Sequence, residues 1–338
     1  MITANAAVGR TWAGHSIGIL CGLTAGVTFL VGALDLAGAG LLQVGGGQAW
    51  AVDIGIMVTA VVAATLASRP VREQVARVLA IDPDSPVHAY ALVLAVIFFG
   101  SQLSSIVFVD LLAIDQAQPP LALGDLVAQE TPFLIMAVAG VGLYIRRDAA
   151  AAADRLGLIR PAWWHVVLAL AAAGAFFALV QQADALSHQL SPAVAHQVDL
   201  TTQHLFGALN NPLGIAALAF LPGICEEILF RGALQPRIGL LATALLFTSI
   251  HTQYGVSLDT ASIFIVAIGL GLIRKYTNTT SSMLCHVSYN LLAGVGIADS
   301  QIPVAAAIEL VLAGVSVYAI WSQRRHRRVP VEPQQAGR

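Results

Sequence analysis

Hydrophobic positions in this chain come in long, nearly unbroken runs, not in the strict alternation of half-buried strands or the one-sided stripe of a soluble helix. Most runs are close to the roughly 20 residues that cross a bilayer as a helix. Candidate spans fall at about 16–34, 49–68, 88–109, 127–145, 163–180, 205–230, 238–252, 260–273, 279–296 and 302–321, each bounded by charged or turn residues. The pattern predicts an all-α, polytopic transmembrane bundle of about ten spans (eight to ten). The first run is long enough to be a retained span instead of a cleaved leader. Glu130 and Pro132 interrupt the fourth, and the seventh and eighth are short for a simple crossing.

Charge sorts the loops into two kinds. Arg69, Arg72 and Arg77 follow the second span; Arg146, Arg147, Arg155 and Arg160 the fourth; Arg231 and Arg237 the sixth; Arg274 and Lys275 the eighth; and Arg324, Arg325, Arg327 and Arg328 the tenth. The intervening loops carry Asp35, Asp110, Asp115, Asp184, Asp199, Asp259 and Asp299 without a Lys or Arg. The positive-inside rule then puts both termini in the cytoplasm, in a bacterial-type plasma membrane. The Ala-rich, charged stretch from Asp148 to Arg160 reads as a boundary. It divides an N-terminal region of about four helices, residues 1–150, from a six-helix core, residues 151–321. Residues 322–338 form a basic and then Pro/Gln/Gly-rich tail, expected to be disordered with its arginines against anionic headgroups.

Composition agrees: 57% of residues are hydrophobic and 11% charged, about half the charged share of a soluble domain, so the chain is an integral membrane protein in contact with the lipid bilayer. Its basic residues form no nucleic-acid-binding face. Cys21, Cys225 and Cys285 lie in apolar segments without paired spacing, which points to buried small side chains and away from disulfides or a C-x-x-C metal site. Cys225 and Cys285 flank Glu226 and His286, but apolar burial quiets a thiol. His188, His196 and His204 recur every eight residues, a spacing that rotates by about 80° per step and shares no helical face. They read as part of a solvated or interfacial amphipathic segment, and Asp53 as an interfacial residue.

The expensive residues lie between Gly223 and Asn290. Glu226, Glu227 and Arg231 sit inside oily sequence, where each ionised group costs roughly 2.5–3.5 kcal/mol on insertion scales if it faces lipid. Glu227 and Arg231 are four apart, acid first, and can pair along one helical face, leaving Glu226, about 100° away, free for another task. Helical rise puts Glu226 only about 7 Å from Arg231, which favours a buried Arg231 paired to Glu227, with the sixth span running on toward Arg237 despite Gly232 and Pro236, over an anchor at the membrane surface. Phe247-x-x-x-His251 and His286-x-x-x-Asn290 follow in later runs at the same four-residue step. A buried carboxylate near an operating pKa can act as general base, with His251 sharing a water and His286 and Asn290 donating to an oxyanion. Alternatively Glu226, His251 and His286 could hold a zinc ion, although no H-E-x-x-H spacing is present. A third reading makes all of these groups interhelical glue.

In this order and spacing the three motifs resemble the signature of the CPBP family of type II CAAX prenyl endopeptidases, bacteriocin-processing enzymes and Abi-type membrane proteins. Leu156-Gly-Leu-Ile-Arg-Pro161 is similar to the segment that opens the family's catalytic region. The resemblance covers about residues 155–321 and leaves 1–150 outside it. It implies an intramembrane peptidase in which Glu226 activates water, Glu227 and Arg231 support it, His251 orients the water, and His286 and Asn290 stabilise the oxyanion. The implied partner is a peptide or protein substrate in or at the membrane. The resemblance leaves zinc and a metal-free glutamate mechanism both open, the second preferred; the substrate and oligomeric state are not read from it. Two rival functions remain on the residues alone, a non-catalytic Abi or immunity-type protein that binds a peptide, and a proton-coupled transporter, against which the absence of internal repeats counts.

Overall fold

A computed structural model describes residues 1–42 and 48–326, with the side chains of 324–326 left aside; the tail arginines and the expected disorder after Trp321 lie largely outside the described residues. The described chain is all-helical and contains no strand, so the all-α bundle holds. In order the helices are α1 (Ile2–Ala6), α2 (Ala13–Leu36), α3 (Ala49–Thr65), α4 (Arg69–Val75) and α5 (Pro86–Phe108). They continue with α6 (Leu111–Ala117), α7 (Leu123–Val141), α8 (Ala149–Leu156), α9 (Trp163–Leu190) and α10 (Pro192–Phe206). The last five are α11 (Pro212–Glu227), α12 (Gln235–Ser249), α13 (Leu258–Tyr276), α14 (Thr279–Val295) and α15 (Ile302–His326).

Five stretches are long and apolar enough to cross a membrane by themselves, or six if the bent pair α3 and α4 counts as one span. The shortfall against ten has a physical source: α7, α13 and α14 are 19, 19 and 17 residues long and carry the polar residues of the interior, so their surroundings and not their composition bury them. The expected sixth and seventh spans are also corrected. No loop separates them at residues 231–237; a π-helical segment, Ile228–Leu234, continues α11 directly into α12. The turn falls instead at Gly239, whose φ of 83° lies in the left-handed region that glycine enters without a Cβ penalty. The segment before α11 is not part of that span either, because α10 ends at Phe206 and a fresh start follows, with Asn211 Oδ1 accepting from the Gly214 amide at 3.0 Å and Pro212 in the first turn.

Two groups of helices emerge. In the first, α2, α3 and α5 pack on one another. In the second, α11 and α14 lie side by side, flanked by α7 on one side and by α9 and α13 on the other, with α15 against α9. Between them, α8 starts with the Asp148 carboxylate capping Ala151 N at 2.8 Å and ends at Gly157. Its end is bound to the second group: the Thr279 hydroxyl donates to Leu156 O at 2.6 Å and the Thr279 amide to Gly157 O at 3.1 Å. Elsewhere α6 and α10 pack together over the short 3-10 turn Thr252–Tyr254.

Candidate active site

Glu227 is fully buried at 0% exposure and is met by three side chains, two from α14 and one from the π-helical segment. His286 Nδ1 on α14 is 3.1 Å from Glu227 Oε1, and the Ser282 hydroxyl, one turn earlier on α14, donates to Oε2. Arg231, at 1% exposure, places Nη1 3.4 Å from Oε1, an ion pair without a well-directed hydrogen bond, and its Nη2 donates to Ala267 O of α13 at 3.3 Å. The expected pairing of Glu227 with Arg231 is therefore present, and Arg231 is an interior residue, not an anchor at the membrane surface. The π-helical turn that starts at Ile228 shifts the register just after the two glutamates, at the point where a regular helix would have carried Arg231 onward.

Helices α11 and α14 can approach this closely because residue 223 is glycine. A Cβ there would lie 2.6 Å from Val287 Cγ2 and 3.1 Å from Val287 N. That close contact sets Val287, and with it the adjoining His286, against the turn of α11 that precedes Glu226 and Glu227. Asn290, one turn on, donates its amide to Leu218 O of α11 at 3.2 Å, so one of its two N–H groups ties the same helices together.

His251 lies just beyond the end of α12, where the chain leaves helical geometry. Its Nδ1 is 2.9 Å from Phe247 O. A carbonyl can only accept, so this nitrogen carries the proton and Nε2 of a neutral ring presents a lone pair. The same logic applies to His286, whose Nδ1 faces the Glu227 carboxylate. When neutral, its Nε2 is an acceptor; when doubly protonated, Nε2 becomes a donor and Glu227 is placed to balance the charge.

Phe247 gathers these groups. Its ring is 4.7 Å from that of His251 and 5.8 Å from that of His286, and the Arg231 guanidinium carbon stands 4.2 Å above its centroid. Phe230 meets it edge-on at 5.4 Å. Phe247 is the aromatic wall against which the cation and both imidazoles are arranged.

Glu226 is buried too, at 4% exposure, and its Oε2 has no hydrogen-bond partner. Facing it from α7 within Coulombic reach is Glu130, also buried, and also with an Oε2 that nothing in the protein satisfies. The sequence marked Glu130 only as an interruption of a span. The available signal was the one used for Glu226, a carboxylate inside an apolar run; what was missing was knowledge that α7 packs on α11.

The donor types of Glu226, His251 and His286 suit zinc, and each histidine has its second nitrogen fixed by a carboxylate or carbonyl as metal-bound imidazoles do. Their ligand atoms are nevertheless not gathered: among the described residues the trio whose ligand atoms lie within 4.8 Å of one another is Asp184, His188 and Asp199, at the partly exposed junction of α9 and α10. There His188 Nε2 is 3.2 Å from Asp199 and 3.7 Å from Asp184, while His196 and His204 lie elsewhere on α10. The interior site as arranged brings two buried glutamates and two oriented imidazoles into one region of the bundle without gathering the three candidate ligand atoms within 4.8 Å.

A family model described as "Type II CAAX prenyl endopeptidase Rce1-like" matches residues 208–292. That segment holds Glu226, Glu227, Arg231, His251, His286 and Asn290, and it excludes Glu130. Neither a curated protein nor a solved structure matches the chain.

Proposed function

Since the Rce1-like segment at residues 208–292 puts this chain with the CPBP family, we propose that it is an intramembrane endopeptidase hydrolysing a peptide bond of a membrane-associated peptide or protein. The observation that carries the reading is the division of labour between adjacent glutamates: Glu227 is saturated by Arg231, His286 and Ser282, while Glu226 keeps an unpartnered oxygen in a buried site. A base must have a free oxygen to take a proton, and of the two adjacent glutamates Glu226 is the one with an oxygen that nothing in the protein satisfies. Glu226 takes a proton from water; the His251 Nε2 lone pair accepts the second water hydrogen and aims the oxygen. The carbonyl oxygen of the scissile bond, as it becomes an oxyanion, receives Nε2–H of doubly protonated His286 and the remaining N–H of Asn290. Glu226 then returns its proton to the leaving amine, so the proton count closes without a metal step. Glu130 is the group Glu226 faces; a proton held on either carboxyl relieves the repulsion between them.

The orientation with both termini cytoplasmic, the bacterial-type membrane, and the division into residues 1–150 and 151–321 belong to the same proposal. The orientation is supported by the absence of Arg and Lys from alternate loops, and the division by the Ala-rich, charged stretch from Asp148 to Arg160.

The decisive experiment is cleavage of membrane-associated peptides by the purified chain and its variants. Glu226→Gln is expected to lower turnover by about 10²–10⁴-fold, the range of a lost general base, with the folded state intact. Glu130→Gln should leave substantial turnover but move the pH at which the rate rises. Equal rates in wild type and Glu226→Gln defeat the assignment, and peptide binding with no cleavage by any form favours the Abi-type reading. Activity lost on chelation and restored only by zinc replaces the metal-free steps.

A further inference from the structure

Arg146, Arg147, Arg155 and Arg237 line one cavity of about 450 Å³, at the end of the bundle that the charge pattern assigns to the cytoplasm. They arrive from separate places: the turn after α7, the last turn of α8, and the first turn of α12. Apart from His88, Ser101 and Gln102 the rest of the lining is apolar, including Leu92, Ala95, Phe98, Phe133 and Leu229, and no Asp or Glu lines the space. Phe98 on α5 and Met136 on α7 are both exposed as well as lining, so the cavity opens sideways between these helices toward the surrounding hydrocarbon.

The guanidiniums have no anionic partner. Arg146 Nε donates to Asn5 Oδ1 at 2.8 Å, Arg155 Nη1 to Gly232 O at 3.1 Å, Arg237 Nη1 to Ala80 O at 3.4 Å, and Arg147 to Val141 O. None of the four enters an ion pair among the described residues, and Arg237 Nε is buried with no partner at all. Burial first, and then the fields of Arg237, Arg147, Arg274 and Arg146, pull Arg155 down to about 10. Four like charges converging without a counter-ion repel one another, and a protein that keeps them so close gains when an anion enters. Positive charge at a cytoplasmic loop is ordinary. Its concentration on the wall of a chain-sized apolar hollow open to the bilayer is not.

We propose that this cavity binds an anionic phospholipid, one acyl chain lying between α5 and α7 and the phosphate held by Arg146, Arg147, Arg155 and Arg237. Arginine forks match phosphate oxygens in pairs, and basic pockets between membrane helices on the cytoplasmic side take lipid headgroups. The site lies apart from the glutamates, with Phe230 standing between: it lines the cavity and packs on Phe247. The proposal does not rest on the peptidase reading.

The test is native mass spectrometry of the full chain, delipidated in mild detergent and titrated with phosphatidylglycerol, phosphatidylcholine or inorganic phosphate. One phosphatidylglycerol should be retained with roughly tenfold preference over phosphatidylcholine, and phosphate alone should bind far more weakly. Arg155→Gln combined with Arg237→Gln should remove that preference. Ala95→Trp, which fills the hollow and leaves every arginine in place, should abolish retention, and guards against misfolding of the double variant. Equal retention of the two lipids, or phosphatidylglycerol binding undiminished by Ala95→Trp, overturns the site in favour of ordinary annular lipid. Inorganic phosphate binding as tightly as the lipid overturns the role of the chain. Displacement of the lipid by a lipidated peptide at equal concentration overturns the assignment by giving the cavity to a substrate.

Discussion

The two helix groups both bury polar residues, yet they treat them differently. Along α2, α3 and α5 the interior polar groups other than Asp53 are small and mostly satisfied within their own helix: Ser104 donates to Gly100 O at 2.8 Å, Thr24 to Leu20 O at 2.9 Å and Thr28 to Thr24 O at 3.0 Å. Opposite them stand glycines, Gly100 against Thr59 and Gly55 against Ser104, so that backbones come close in the small-residue manner of membrane helices. Around α11 and α14 the polar groups are large, charged and satisfied across helices, Glu227 by α14, Arg231 by α13 and Asn290 by α11. Some of their atoms are left over. Burial of polarity is common to both regions, and each leaves a carboxylate oxygen unpaired, Asp53 Oδ1 in the first and Glu226 Oε2 in the second; only the second sets such a group beside a buried cation and two imidazoles.

The strongest way to break this contrast is to remove one charge from the second region. Arg231→Met takes away the cation beside Glu227 and leaves the carboxylate buried with two hydrogen-bond donors and no guanidinium. Breaking a buried pair from one side costs about 3–5 kcal/mol. The unfolding temperature of the purified chain in detergent should fall accordingly. A variant as stable as wild type would mean that His286 and Ser282 suffice to hold Glu227, and that Arg231 serves chemistry alone.

In the first region the expected effect is smaller and mechanical. Gly100→Val sets a branched side chain onto Thr59 of α3, where even a bare Cβ meets both the methyl and the hydroxyl. Overpacking of this kind costs about 1–3 kcal/mol. Turnover per folded molecule should stay at the wild-type value, since nothing on this seam reaches Glu226. A loss of turnover beyond the loss of folded protein would show that the two groups are coupled.

The sequence made some of this visible and concealed the rest for definable reasons. Charge inside oil is costly wherever it occurs, so Glu226, Glu227 and Arg231 stood out, and the four-residue step joined Glu227 to Arg231 as the structure does. The run of helix past Gly232 and Pro236 was legible from the depth of Arg231, but its π-helical geometry was hidden, because no residue type marks a wider turn. Ser282 was hidden because a serine carries no charge to mark it; only the proximity of α14 to α11 gives it Glu227 as an acceptor. Asp53, expected at the interface, is buried near the start of α3 with an unsatisfied Oδ1, a consequence of how α2 covers it. Glu130 required a tertiary contact between two regions that the chain pattern divides.

The smallest expected effect separates glue from chemistry most cleanly. Asn290 does a job that either region could need: its amide donates across helices to Leu218 O. Hydrogen bonds between membrane helices average about 0.6 kcal/mol, so Asn290→Ala should shift stability only slightly. If Asn290 is glue alone, turnover of the folded fraction should change by no more than that small destabilisation allows. If its second N–H also receives the oxyanion, turnover should fall by about 10²-fold or more with KM little changed, as for a lost oxyanion donor. Measuring stability and kcat on one preparation distinguishes the two, because only a group that acts in the transition state lowers the rate far more than it loosens the fold.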